Sequence, residues 1–248
     1  MIIRLQSSAF LLACTVMALP FPAPCQTAQG DGSPETPPIL AKLKANQFRD
    51  DASLLRALAD TNTSRLGSEL RTELRRFAER NPGAKVAVTA DLWLAATELR
   101  FTGGTSTVRK KERIAESRQT LERIARTNLG SWHSKAARFA TVGCLMAAKD
   151  WTAFDEQANE ILGSVARYTN SPEEELGLFF TSIGIKAAEV ECEIRASLMI
   201  VASSQAHFAK ALAHAQTLQS AFPAWSEQHG ISNVIERLKR NESPYSLR

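Results

Sequence analysis

Two seven-residue segments echo each other 47 positions apart: Phe77-Ala78-Glu79-Arg80-Asn81-Pro82-Gly83 and Ile124-Ala125-Arg126-Thr127-Asn128-Leu129-Gly130. Each closes one apolar-striped helix and opens the next. The punctuation returns at Ala221-Phe222-Pro223-Ala224, and Pro82 to Pro223 spans 141 positions, three such steps. A break recurring at this interval constrains the chain to stacked helical hairpins, an architecture that usually binds rather than catalyses. The openings at Pro82, Leu129, Pro172 and Pro223 lie 47, 43 and 51 positions apart, so the repeats keep phase more than sequence.

Composition agrees. The 248 residues are 44% hydrophobic and 23% charged, enough to bury a core without staples. Proline gathers near the N-terminus, and the remainder is rich in Ala, Leu, Arg and Glu, which favours helix. Strand-type alternation is nearly absent. The net charge is only +4, and nucleic-acid binding would require denser basic clustering with stacking aromatics.

The N-terminus reads as an export signal over 1–25. Arg4 precedes an apolar run, and Ala23-Pro24-Cys25 offers small residues for cleavage before Gln26. The run is too short to span a bilayer. Leu11-Leu12-Ala13-Cys14 has the form of a lipidation box, but the chain stays apolar after Cys14, so the export reading is preferred to a lipid anchor. Residues 26–38 are polar and rich in Gly and Pro, a flexible linker ahead of a helical domain over 39–248. The expected location is periplasmic or secreted.

Within the body, Leu40, Leu43, Leu54, Leu55 and Leu58 mark two short helices split near Arg49-Asp50. Ser64 is a cap for a helix whose stripe is Leu66, Leu70, Leu74 and Phe77. Residues 84–101 are apolar over more than one stripe, the sign of burial between neighbours. The following helix, through Thr127, is strongly charged with a narrow inner face of Ile114, Leu121, Ile124 and Ala125. An inner helix over 131–149 and an outer one over 151–167 come next. Ser171-Pro172-Glu173-Glu174 has the form of a helix start, with one long helix to Ala202. Residues 206–222 form its partner, and 224–240 a terminal cap.

Phe77–Gly83 followed by Trp93-Leu94-Ala95, and residues 202–212 running on to Phe222-Pro223, resemble the tetratricopeptide-repeat superfamily, especially the loose hairpins of exported bacterial proteins. The match covers about 75 to 223, and its intervals are nearer those of HEAT-like pairs than the usual 34 residues. The resemblance implies a right-handed α-solenoid with a concave groove for a protein or peptide, lined here by 84–101, 131–149 and 172–202.

Chemical motifs are sparse. His207 and His214 are seven apart, two helical turns and about 10 Å, too far for one metal ion. Cys144 and Cys192 lie 48 apart, nearly one repeat, which makes them a candidate disulfide in an oxidising compartment, against two separate buried thiols. Arg109, Lys110, Lys111 and Arg113 form a candidate docking patch for an acidic partner, against a solvated helix face. Trp93 and Trp132 are candidate groove residues, more readily placed in the core. No catalytic, cofactor-binding or metal-binding residue is assigned, and no cofactor. The expectation is therefore an all-α stack of antiparallel hairpins that binds a protein or peptide; a cell-envelope hydrolase and a small-molecule or haem carrier are the alternatives.

Overall fold

The computed structural model describes residues 37–61, 63–101 and 107–245. The signal, its cleavage site, Cys14 and nearly all of the linker lie outside them. Among the described residues the regular structure is entirely helical. The helices are α1 (Pro38–Lys44), α2 (Asp51–Ala59), α3 (Thr63–Arg80), α4 (Lys85–Thr97), α5 (Thr107–Thr127), α6 (Trp132–Ala148) and α7 (Trp151–Gly163). There follow α8 (Ala166–Thr169), α9 (Glu174–Ser182), α10 (Val190–Ser204), α11 (Phe208–Ala221), α12 (Pro223–Gln228) and α13 (Ile231–Lys239). Short 3-10 turns at Glu98–Phe101 and Ala187–Glu189 extend α4 and precede α10.

The 47-residue echo is one turn built twice. Gly83 and Gly130 both adopt left-handed backbone, with φ of 80° and 79°. A Cβ at either would meet nothing, so backbone strain is what selects glycine there. Two residues earlier, the Asn81 and Asn128 side-chain amides donate to the carbonyls of Phe77 and Ile124, at 2.8 and 3.0 Å. The Asn81 and Asn128 carbonyls then accept from Ala84 and Ser131, each at 3.1 Å. Spent helical carbonyls are thus satisfied just where the chain reverses. The third copy is a different turn. Phe222 has φ −133°, and Pro223 opens α12 directly at its first position.

A second device ends five helices. Asn46, Lys149, Gly184, Ala206 and Asn241 take left-handed backbone. In each case the next residue's N–H reaches the carbonyl five positions back: Gln47 to Lys42, Asp150 to Leu145, Ile185 to Phe180, His207 to Ala202 and Glu242 to Arg237, at 2.8–3.0 Å.

Consecutive helices pack as antiparallel hairpins, chiefly α3 with α4, α5 with α6, and α10 with α11. The doubly striped segment becomes α4, whose Val86, Ala90, Leu92, Trp93 and Leu94 are buried on opposing sides. Helix α6 is buried even further round, whereas the charged α5 buries only Ile114, Ser117, Leu121 and Ile124. The expected groove along the inner helices is closed. Helix α9 packs on both α2 and α6, α2 also packs on α4, and α4 packs on α6. Leu54, Leu55 and Leu58 of α2 and Leu176, Phe179 and Phe180 of α9 are the apolar faces that closure covers. Four inner helices thus form a ring around a shared core.

Several boundaries differ from the sequence expectation. The run 172–202 is broken: α9 ends at Ser182, Gly184 turns left-handed with φ 73°, and α10 starts at Val190. Glycine in an otherwise apolar helical run supplied the reversal. Gly230, with φ 65°, similarly splits the C-terminal cap into α12 and α13. Ser171 does not cap α9, which starts at Glu174; its hydroxyl instead bonds the Glu173 carboxylate at 3.1 Å. Ser64 falls inside α3 rather than before it.

Candidate functional site

A largely buried polar cluster forms where the first turns of α2, α4 and α6 meet. Asp51 opens α2, Thr89 lies one turn into α4, and His133 is second in α6. The Thr89 hydroxyl donates to Asp51 Oδ1 at 2.7 Å. With its one proton so placed, it accepts from His133 Nε2 at 3.0 Å, which puts the imidazole proton on Nε2. Asp51 Oδ2 stands 3.6 Å from the same nitrogen. Trp132 stacks on the His133 ring with centroids 3.9 Å apart.

Burial lowers the His133 pKa, opposed by Asp51; Lys85 lowers it further, while Glu175 and Glu173 raise it. Carboxylates at and just before the start of α9 close this end. Lys135 bridges to Glu173 and Arg56 to Glu174. An Asp, a His and a hydroxyl within hydrogen-bond reach have the composition of a nucleophile-activating set. The order of bonds does not. Thr89 gives its proton to the acid instead of the imidazole, and its side chain has no exposure. As it stands, the cluster knots three inner helices together.

A second buried set ties α3 and α4 to α5. Arg71 pairs with Glu98 and also donates to Thr97 Oγ1 at 3.0 Å and to the Leu94 carbonyl at 3.3 Å. Burial pulls its guanidinium down to about 10, with Glu98 opposing. Arg113 also reaches Glu98, at 3.3 Å. That divides the basic docking patch: Arg113 is engaged by the core, whereas Arg109 and Lys111 are exposed on α5 and Lys110 is half-buried. Arg118 to Asp150 and Arg123 to Asp91, at 2.9 and 3.6 Å, strap α5 to its neighbours further along.

The disulfide does not form. Cys144 and Cys192 are both free, buried thiols, each pushed up to about 12 mainly by burial. The reason is topological. Break and restart around Gly184 place Cys192 on α10, which packs chiefly on α7 and α11, whereas α6 packs chiefly on α5, α7, α4 and α9. Near-equal spacing in sequence therefore does not make the two positions equivalent. Trp93 and Trp132 are both core residues. His207 is exposed; His214 is partly buried, and burial lowers its pKa, followed by Arg195 and Lys210. Among the described residues, no three His, Cys, Asp or Glu are grouped to hold a metal ion, and no helix is long and apolar enough to cross a membrane.

Sequence reasoning did not identify two features. The Asp51–Thr89–His133 knot joins residues 38 and 44 positions apart, and only its location near the starts of three alternate helices hinted at it. Glu193 on α10 has no exposure, and neither of its carboxyl oxygens has a hydrogen-bond partner. It was visible only as a charge inside an apolar run. No family model, curated protein or solved structure matches the chain.

Proposed function

We propose that the chain is an exported helical-hairpin scaffold, of tetratricopeptide-like kind, that binds a protein or peptide partner. The observation that carries this reading is the contrast between its sealed and its open groups. Thr89, His133 and both thiols are buried and Asp51 is half-buried, while the 21-residue α5 buries only four side chains and turns a charged face outward. Since α2 and α9 close the ring of inner helices, docking falls to the outer faces. The exposed Arg109 and Lys111 then make the start of α5 the edge for an acidic segment.

Affinity capture from an envelope extract with the mature chain, read by mass spectrometry, tests this. The expected result is an enriched partner that a double Arg109→Glu, Lys111→Glu variant captures several-fold less. Equal capture by both forms would move the docking edge elsewhere, and no enriched partner at low or moderate salt would remove the scaffold reading. Export is tested separately: N-terminal sequencing of the mature protein should begin near Gln26, and an intact Met1 would refute it.

The composition of the polar knot supports a second reading, a cell-envelope hydrolase whose stack opens to expose it. Turnover of peptidoglycan or generic esters, abolished by Thr89→Val and by His133→Asn in folded protein, would replace the scaffold reading.

A further inference from the structure

Glu193 sits in the first turn of α10, just past the Gly184 reversal and the Ala187–Glu189 turn that separate α9 from α10. The joint divides the molecule unevenly. Before it, α9 belongs to the closed inner ring. Beyond it, α10 pairs with α11, and α12 and α13 pack on α11. This C-terminal unit is held to the rest chiefly through α10 on α7 and the Lys210–Asp155 ion pair, at 2.6 Å.

At this joint lies a carboxyl group with no exposure and no donor to either oxygen. Its surroundings supply no neutralising charge. From the 3-10 turn comes Glu189, itself paired with Lys186 at 3.0 Å. On α10, Glu191 is taken by Arg195 at 2.7 Å. Asp155 of α7 and Lys210 of α11 pair with each other, and half-buried His214 of α11 lies in the field of those two and of Arg195. None of these groups donates to Glu193. An ionised carboxylate in such a place is far costlier than a neutral acid.

We propose that the α10 joint is proton-gated: the start of α10 is seated in the fold with Glu193 protonated, and loss of that proton favours its release. Burial, reinforced by Glu189, pushes the carboxyl up to about 8 in the seated state. Released into water it returns to the ordinary glutamate value of about 4.3. Between those values the released form holds fewer protons, so rising pH favours release by about tenfold per unit. The effect levels off above about 8, where the seated form ionises as well. Half-buried His214 acts in the opposite sense near its own range, so the Glu193 contribution is read as a difference from a variant.

Hydrogen exchange by mass spectrometry at pH 5, 6, 7 and 8, corrected for intrinsic rates, tests this on the full chain. In wild type, opening of amides across 190–221 should rise about tenfold per unit relative to Glu193→Gln and Glu193→Leu. Both variants should be more protected at pH 8, and amides of α3 to α6 should not follow the slope. Identical slopes in wild type and both variants would overturn the proposal. So would a slope shared equally by α3 to α6, since that would place the linkage in global unfolding. If one variant fails to fold, the other and the wild-type slope still decide.

Discussion

Ala206 is held at φ 59° to end α10, a conformation in which its Cβ crowds the following carbonyl. Glycine has no such penalty there. Ala206→Gly should therefore stabilise the protein by about 0.5–1 kcal/mol, while Ala213→Gly, at an exposed interior position of α11, should destabilise it by a similar amount. Denaturant midpoints that shift in the same direction for both would contradict the backbone argument. His133 carries a pH dependence of definite sign. Its folded pKa lies below the ordinary value near 6.5, so the unfolded chain binds more protons as pH falls through that value. Its contribution to stability is full above about 6.5 and declines in acid until the folded group protonates as well. The stability of wild type relative to His133→Asn should thus fall from pH 8 to pH 5; a constant or rising difference would show that burial does not dominate there. At this scale the sequence was legible where a marked break is also a local turn or cap, and misleading at Ser171, which does not cap α9, and at Ser64, which lies inside α3. Asp50 caps α2 through Ser53 N at 2.8 Å, and Gly83 and Gly130 turn left-handed as their positions in the echo imply. It was not legible where a residue's role is fixed by a partner far along the chain, as for Thr89 and His133.

Elements were legible through their stripes, and less so through their interruptions. Leu70, Leu74 and Phe77 share the buried side of α3 as spacing predicts, and Ile114, Leu121 and Ile124 do the same for α5. The run 172–202 misled because its hydrophobicity continues across Gly184, and periodicity alone does not register a left-handed residue inside an apolar segment. What ties elements together is also unequal. Arg71 and Glu98, with side chains 6% and 7% exposed, join α3 to the end of α4, while Lys44 and Glu69 join α1 to α3 at about half exposure. Removing one member of the buried pair leaves a stranded charge. Glu98→Ala should cost about 3–5 kcal/mol, whereas the joint replacement Arg71→Met, Glu98→Leu should recover most of that. Glu69→Ala should cost under about 1 kcal/mol. Equal losses for Glu98→Ala and Glu69→Ala in urea unfolding would show that burial of the pair does not set its weight.

The whole molecule departs from a simple stack at one place. In a linear array of hairpins each unit touches only its neighbours, and a concave face stays open. Here Arg56 and Glu174, 118 positions apart, meet because α2 lies against α9. The hairpin interval revealed the stacking but carried no information about this contact, which depends on two short apolar faces finding each other across the ring. Closure makes the N-terminal helices part of the same cooperative unit as α9. Leu55, with no exposure, is the test position. Leu55→Ala should cost about 2–5 kcal/mol from lost burial and the cavity left behind. Hydrogen exchange should accelerate in α9 along with α2, despite the distance in sequence, because each shields the other. Leu238→Ala in α13, a position 1% exposed, should instead accelerate exchange mainly in α11 to α13, since α13 packs chiefly on α11. If Leu55→Ala left α9 as protected as in wild type, α2 would be a dispensable cover and the inner face would be open to a partner after all. Protection lost together in α2 and α9 would fix the ring as the unit that folds, and would leave the outer helices as the surface for the proposed partner.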